Sequence, residues 1–367
     1  PISSFFREHK PLRYNINPIY WIYSIGNYVH KTLDTAPSEI KDIGLDAKIV
    51  EEENEPKELI ILVVGETARA DRFSLNGYSK ETNPLLKQEE LVSFTNMSSC
   101  GTSTAHSVPC MFSIFPKDDY SYKKGAGTKN VLDVLNNTQD VAILWRDNNS
   151  DSKGVALRVD FEDFRTSKTN TICDEECRDE GMLVGLEDYI ERNKGKDILI
   201  VLHQMGNHGP AYYKRYPKEF EKFTPVCKTN QLENCTKEEI SNAYDNAILY
   251  TDYFLSKAIN FLKKYSNTHE AGLLYVSDHG ESLGENGIYL HGMPYAIAPK
   301  AQTHVASLIW LDNGQMAHEY DINKIKQNKD KEYSHDNLFD TLLGLFEVKT
   351  EVYKKELDIL NEARKED

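Results

Sequence analysis

Glu66, Asp278 and His279 are oxygen and nitrogen donors of the kind zinc accepts. A hydroxyl from Thr104 could fill a fourth, reactive position beside them. Thr104 lies in Cys100-Gly-Thr-Ser-Thr-Ala-His-Ser-Val-Pro-Cys110, where Thr102, Ser103, Thr104 and Ser107 stand between two cysteines. Residue type and spacing leave Thr102, Ser103 and Thr104 all open as the nucleophile. The segment reads as a loop running into a helix start, where free backbone N–H groups and the helix dipole favour a phosphate or an alkoxide. Taken alone it is equally a Ser/Thr-rich capped turn, and the metal donors elsewhere are what give it chemistry. A hydroxyl is a poor nucleophile at neutral pH. Metal coordination lowers the pKa of bound water from about 15.7 to about 7, and a coordinated threonine is activated in the same direction. Magnesium or manganese would suit the carboxylates, but an imidazole donor favours zinc.

A second set of residues suits phosphoryl transfer. Lys153 offers positive charge to a phosphate oxygen, and the amide of Asn149, beside Asn148, offers a hydrogen bond. His208, in Asn-His-Gly-Pro, and His291, in Leu-His-Gly, suit general acid–base roles or a second metal. His203 is a weaker candidate. His9, His30, His269, His304, His318 and His335 lack such a context and read as surface or packing residues.

Elements that would gather these groups are legible as short continuous apolar runs, the mark of strands buried on both faces. They are Glu58–Gly65, Val141–Trp145, Asp197–His203, Leu273–Ser277 and Val305–Leu311. Helical patterns lie at about Asn130–Asn137, Asp179–Asn193, Lys237–Lys264 and Asp336–Phe346. Strands alternating with helices predict an α/β sandwich with a mainly parallel sheet and helices on both faces. In such sheets ligands bind beyond the carboxyl ends of the strands. Gly65-Glu66-Thr67, the Arg146–Lys153 stretch, His203 with Asn207-His208-Gly209, and Ser277-Asp278-His279-Gly280-Glu281 all follow strands. Residues 206–236 read as a polar insertion, and Thr350–Asp367 as a charged surface helix.

The chain has 367 residues, 40% hydrophobic and 28% charged, enough for one large α/β domain or two smaller ones. A net charge of −15 argues against a nucleic-acid partner. No apolar run approaches the roughly 18 residues of a membrane span. The chain starts at Pro1 without a signal-peptide pattern, and reads as a fragment whose membrane or targeting part lies elsewhere. Residues 1–30 mix aromatics with Arg7, Lys10 and Arg13, suiting either a membrane–water interface or an arm packed on the main domain. The run Glu51–Pro56 reads as an exposed linker. The six cysteines form three local clusters, so neighbour pairing is expected: Cys100 with Cys110, Cys173 with Cys177, and Cys227 with Cys235. Such bridges belong in an oxidising compartment.

Gly65-Glu-Thr-Ala-Arg-Ala-Asp71, the Cys100–Cys110 segment, Trp145-Arg-Asp-Asn-Asn-Ser-Asp-Ser-Lys-Gly154, His203-Gln-Met-Gly-Asn-His-Gly-Pro-Ala-Tyr-Tyr213 and Ser277-Asp-His-Gly-Glu-Ser-Leu-Gly-Glu285 together resemble the periplasmic catalytic domain of bacterial phosphoethanolamine transferases. That family includes lipid A-modifying and mobile colistin-resistance enzymes. The motifs run in order across roughly residues 58–312. The resemblance implies an alkaline-phosphatase/sulfatase-like fold. It also implies a zinc site of Glu66, Thr104, Asp278 and His279, with Thr104 as nucleophile. Phosphoethanolamine contacts would come from Asn149, Lys153, His208 and His291. Residues 1–57 would be the juxtamembrane connector and 58–367 the catalytic domain, behind membrane helices that this chain lacks.

The expected reaction has two steps, with phosphatidylethanolamine as donor and lipid A or another envelope acceptor, through a covalent threonine intermediate. One tight zinc is expected, a second metal is possible, and a monomer is expected. The rival within the superfamily is a phosphatase, sulfatase or glycerol-phosphate transferase, separated by whether the product is transferred or released to water. The rival of another class is a non-catalytic zinc-holding envelope protein, which would bind metal and lipid without turnover.

Overall fold

The structure, a computed structural model, describes residues 39–50 and 55–365. The aromatic and basic residues 1–30 and most of the acidic run before Pro56 lie outside the described residues.

Eight strands form one sheet: β1 (Lys57–Gly65), β2 (Leu91–Ser98), β3 (Val141–Asp147), β4 (Asp160–Asp163), β5 (Asp197–His203), β6 (His269–Ser277), β9 (His304–Leu311) and β10 (Tyr333–Ser334). Their order is β10-β2-β9-β6-β1-β5-β3-β4, and a short pair, β7 (Ser282–Leu283) and β8 (Tyr289–Leu290), stands apart. β6, β1, β5, β3 and β4 are mutually parallel, whereas β9 runs antiparallel to both β6 and β2. The expectation of a mainly parallel α/β sheet is met. β2 has no counterpart among the expected strands. Its sequence, Leu-Val-Ser-Phe-Thr-Asn-Met-Ser, is partly exposed and mixes polar with apolar residues, so it lacks the continuous apolar signature of the central strands.

β1 shows how the sheet is covered. Leu59, Ile61 and Val63 enter one core, and Ile60, Leu62 and Val64 enter the other. Alternate residues on a strand point to opposite faces, so a run buried on both sides must be apolar throughout. On one face lie Ile240, Tyr244, Ile248, Leu255 and Ile259 of the 26-residue helix Lys237–Leu262. Its Thr236 and Glu239 form a reciprocal capping box that sets where the helix begins. On the other face lie Val131–Asn137 and Leu338–Leu345.

Two helix expectations are corrected. The stretch from Asp179 to Asn193 is a short 3₁₀ turn, Asp179–Leu183, then a helix Leu186–Arg192, because Gly185 takes a left-handed φ of 74° between them. The tail expected as a charged surface helix is a series of turns with one 3₁₀ turn at Asn361–Ala363. Leu360 is buried in the core there and overrides the surrounding charges. Residues 39–50 also lie against this body, with Ile43 and Ala47 in its core and Lys48 paired with Lys349.

All three expected disulfides are present: Cys100–Cys110, Cys173–Cys177 and Cys227–Cys235. No helix among the described residues is long and apolar enough to cross a membrane.

Candidate metal and phosphoryl-transfer site

Parallel register brings the strand ends into line. Gly65 stands opposite Ser277 across β1 and β6, Val64 opposite His203 across β1 and β5, and Asp147 opposite His203 across β3 and β5. The residues that follow therefore emerge side by side. Backbone bonds continue the ladder beyond the sheet, with Asp278 N–H donating to the Gly65 carbonyl (2.9 Å) and Asn207 N–H to the Glu66 carbonyl (3.0 Å). Two glycines permit this crowding. A side chain at Gly206, where φ is 48°, would meet the Glu66 carbonyl at 2.9 Å, and one at Gly280 would meet the Ala301 carbonyl at 2.1 Å.

Thr104 is the first residue of an eight-residue helix, Thr104–Met111, so the expected loop-to-helix transition is present. Its Oγ1 lies 3.0 Å from Glu66 Oε2 and 3.4 Å from His279 Nε2. Thr102 is differently engaged, donating its hydroxyl to the Met293 carbonyl at 2.6 Å. Glu66, Asp278 and His279 are fully buried, and one ligand atom of each lies within 4.8 Å of the others. His279 Nδ1–H donates to the Gly280 carbonyl at 2.9 Å, which turns Nε2 toward the carboxylates. Asp278 Oδ1 accepts from the backbone N–H groups of Thr67 and His279 (3.1 and 2.7 Å). Asp278 Oδ2 has no hydrogen-bond partner among the described residues. Two buried carboxylates, one oriented imidazole and an orphaned carboxylate oxygen are a donor set that fits a divalent metal ion.

The charges agree with that fit. Burial, then the Glu66 carboxylate, pushes the Asp278 carboxyl up to about 6. Burial would also raise Glu66, but the imidazoles of His208, His279 and His291 hold it well below the usual carboxylate range. His279 is raised despite its burial, because Asp278 and Glu66 favour its charged form.

The phosphate-directed residues are only partly gathered around this cluster. Asn149 Nδ2 donates to Glu66 Oε2 at 2.7 Å and to the Gln204 carbonyl at 2.9 Å. Its neighbour Asn148 turns away to the Cys177 carbonyl and Asp179. Lys153 stands one step further out. Its Nζ donates to Ser150 Oγ at 2.7 Å, and Ser150 Oγ donates to Asn149 Oδ1 at 2.7 Å. The rings of His279 and His291 are 4.2 Å apart and those of His208 and His291 6.3 Å, so His291 neighbours both other imidazoles. Burial lowers the His208 pKa, against the pull of the Glu66 carboxylate.

Several supporting residues escaped sequence reasoning. Glu281 Oε1 accepts from His291 Nδ1 at 2.9 Å and Oε2 from the Tyr212 hydroxyl at 3.0 Å. Its place in the same Asp-His-Gly-Glu stretch was the available signal. Asp147 is fully buried and holds Trp145 Nε1, His203 Nδ1 and the Asn149 backbone N–H at 2.8–3.0 Å. His203 therefore supports the site from behind. Asp179 accepts from Asn148 and from the backbone N–H groups of Met205 and Gly206. His335 is only 2% exposed and hydrogen-bonded through both nitrogens, a packing role rather than a surface one.

Residues 58–348 match the sulfatase family model, and residues 1–33 match the model described as phosphoethanolamine transferase EptA/EptB. The chain is 50% identical to phosphatidylethanolamine transferase Mcr-2 of Escherichia coli over 94% of its own length and 65% of that protein. It is 45% identical to phosphoethanolamine transferase EptA of Escherichia coli strain K12, covering 99% of this chain and 67% of that one. Among solved structures it is 46% identical to the C-terminal periplasmic domain of phosphoethanolamine transferase EptC from Campylobacter jejuni, with a TM-score of 0.77 over 88% of this chain and 97% of that one. The chain thus spans about two thirds of the length of the curated relatives it matches. With the sulfatase-type sheet, the ordered motifs and these identities, the chain belongs to the phosphoethanolamine transferase family.

Proposed function

We propose that this chain is the periplasmic catalytic part of a zinc-dependent inner-membrane enzyme, with residues 1–57 as its connector. It moves phosphoethanolamine from phosphatidylethanolamine to lipid A or another envelope acceptor. The observation that carries the reading is the convergence of the Thr104 hydroxyl with Glu66, Asp278 and His279 at the carboxyl edge of the sheet. His279 Nε2 stands 3.4–3.5 Å from Thr104 Oγ1, Glu66 Oε1 and Asp278 Oδ2. Ligand atoms around a tetrahedral zinc with bonds of about 2.1 Å are roughly 3.4 Å apart, so the spacing supports zinc at one tight site. His208 and His291, the latter beside His279, are the candidates for a second metal.

Zinc bound there supplies positive charge that lowers the pKa of the Thr104 hydroxyl and stabilises negative phosphate oxygens. Glu66 Oε2 accepts the hydroxyl proton of Thr104 and so turns the oxygen's remaining lone pairs outward. Thr104 Oγ1 attacks phosphorus; the new Oγ1–P bond forms as the bond from phosphorus to the glycerol oxygen breaks. Diacylglycerol leaves with a proton from the neighbouring imidazoles of His208 and His291. In the second step an acceptor oxygen attacks the same phosphorus and returns a proton to that pair of imidazoles. Thr104 Oγ1 departs and takes back from Glu66 the proton it gave up on attack. Asn149 orients Glu66 throughout, and Lys153, on the rim, attracts the phosphate of the zwitterionic headgroup.

The test is an intact mass of the zinc-loaded chain after incubation with phosphatidylethanolamine, followed by peptide mapping. A phosphoethanolamine adduct on Thr104, absent in Thr104→Ala, is expected. Turnover by Thr104→Ala at the parent rate would sink the assignment. Release of phosphoethanolamine to water with an acceptor present would point instead to the hydrolases that share the sulfatase-type fold.

A further inference from the structure

We propose that His335 is a positioning residue that clamps the nucleophile loop onto the strand carrying the metal donors. The inference rests on the reading of Thr104 as nucleophile.

His335 lies far downstream of both segments it touches, 235 positions from Cys100 and 58 from Ser277. The Cys100 backbone N–H donates to its Nδ1 at 3.0 Å, and its Nε2–H donates to the Ser277 carbonyl at 2.9 Å. A backbone N–H needs an acceptor and a carbonyl needs a donor, so this pairing selects one neutral tautomer and one ring orientation. What it joins is decisive. Cys100 opens the disulfide-closed loop that leads to Thr104, and Ser277 is the last residue before Asp278 and His279. Ser277 is itself tied into the site, accepting from Ala68 N–H at 2.7 Å and donating to the His279 carbonyl at 3.1 Å. One ring thus links the nucleophile segment to the metal donors, independently of the short contacts inside the cluster.

The turn that carries His335 is built to hold it still. Ser334 and Asn337 cap each other reciprocally, and Tyr333–Ser334 pairs in parallel with Met97–Ser98 at the root of the nucleophile loop. Asp336 Oδ1 accepts from Lys117 N–H at 2.8 Å, which anchors the chain beyond the nucleophile helix. The nucleophile loop is therefore gripped at its entrance and beyond its exit by four consecutive residues, with the imidazole at the end nearer the metal donors.

The chemistry of substitution separates positioning from mere packing. His335→Leu fills the space with no hydrogen bond. His335→Asn places Oδ1 near the position of Nδ1 and keeps the bond from Cys100 while losing the one to Ser277. Two measurements on the whole chain decide, and neither needs turnover: hydrogen exchange of the segment from Ser99 to Val108 in the metal-free protein, and affinity for zinc alone by chelator competition. His335→Leu should speed exchange in that segment and leave distant helices unchanged. It should also weaken zinc binding roughly 10–100-fold, the scale of losing an outer partner of a metal site. His335→Asn should restore slow exchange near Cys100. Exchange in His335→Leu equal to the parent, or equal loss in Leu and Asn, overturns the proposal. A parent chain without zinc affinity would overturn the metal reading of the site, while the exchange result would still decide whether His335 clamps the loop.

Discussion

Replacing Asp278 with Asn should stabilise the metal-free protein and abolish its response to zinc. Asp278 is fully buried, and its Oδ1 accepts two backbone N–H groups, an arrangement that Asn keeps. Its Oδ2 has no donor and lies 3.5 Å from His279 Nε2, where Asn presents an amide N–H close to Glu66. Burial and the Glu66 carboxylate push the Asp278 carboxyl from its ordinary 3.8 up to about 6. At about 1.4 kcal/mol per pH unit, the ionised carboxylate costs the metal-free fold on the order of 2–3 kcal/mol. A raised carboxyl contributes stability that is fully present below its ordinary pKa and lost as pH rises through about 6. The gain from Asp278→Asn should therefore be about 1 kcal/mol at about pH 4.5 and reach roughly 2–3 kcal/mol at about pH 7.5. Zinc works in the opposite direction. Binding to the folded parent alone adds about 2.7 kcal/mol at a hundredfold excess over Kd, whereas the variant, lacking one ligand, gains little. Urea unfolding at both pH values, with chelator and with zinc, gives all the numbers. A metal-free variant less stable than the parent at the higher pH, or an equal zinc effect in the two proteins, refutes the reasoning.

Glu281→Gln removes the charge that holds His291 Nδ1–H and the Tyr212 hydroxyl, and should slow transfer roughly 10–100-fold with zinc affinity near the parent value, checked by product formation beside chelator competition. At the opposite edge of the sheet, burial, reinforced by Glu319, Glu347 and Glu55, pushes Glu270 up to about 8. The stability it contributes is present at low pH and lost as pH rises through that value, so Glu270→Gln should raise Tm by roughly 2 °C at about pH 9 and leave it unchanged at about pH 5 in thermal melts. Removing the Cys100–Cys110 bridge with paired alanines should cost about 3 kcal/mol, the chain-entropy value for so short a loop, read from the urea midpoint.

Much of this protein is legible in its sequence because burial leaves a local trace. β1, β3, β5 and β6 are buried on both faces, so the centre of each is continuously apolar, and each run marks its own strand. In a parallel sheet the residues after those runs must share one edge, which is why Glu66, His203, Asp278 and His279 could be placed together before any coordinates. The cysteine pairs are likewise local, four to ten positions apart. Where the trace is weaker, expectation fails: β2 mixes polar and apolar residues, and the tail hides Leu360 among charges.

Tertiary structure alone decides what meets across long separations. Spacing could not choose among Thr102, Ser103 and Thr104. The first turn of the helix, held over the strand ends, sets Thr104 Oγ1 3.0 Å from Glu66 and sends Thr102 to Met293. His335 looked like any unremarked histidine until the fold carried it 235 positions back to Cys100. Hydrophobic periodicity depends on each residue's own burial and survives in the sequence. A hydrogen bond or a displaced pKa depends on a partner and on the exclusion of water between them, and these exist only once the chain has closed.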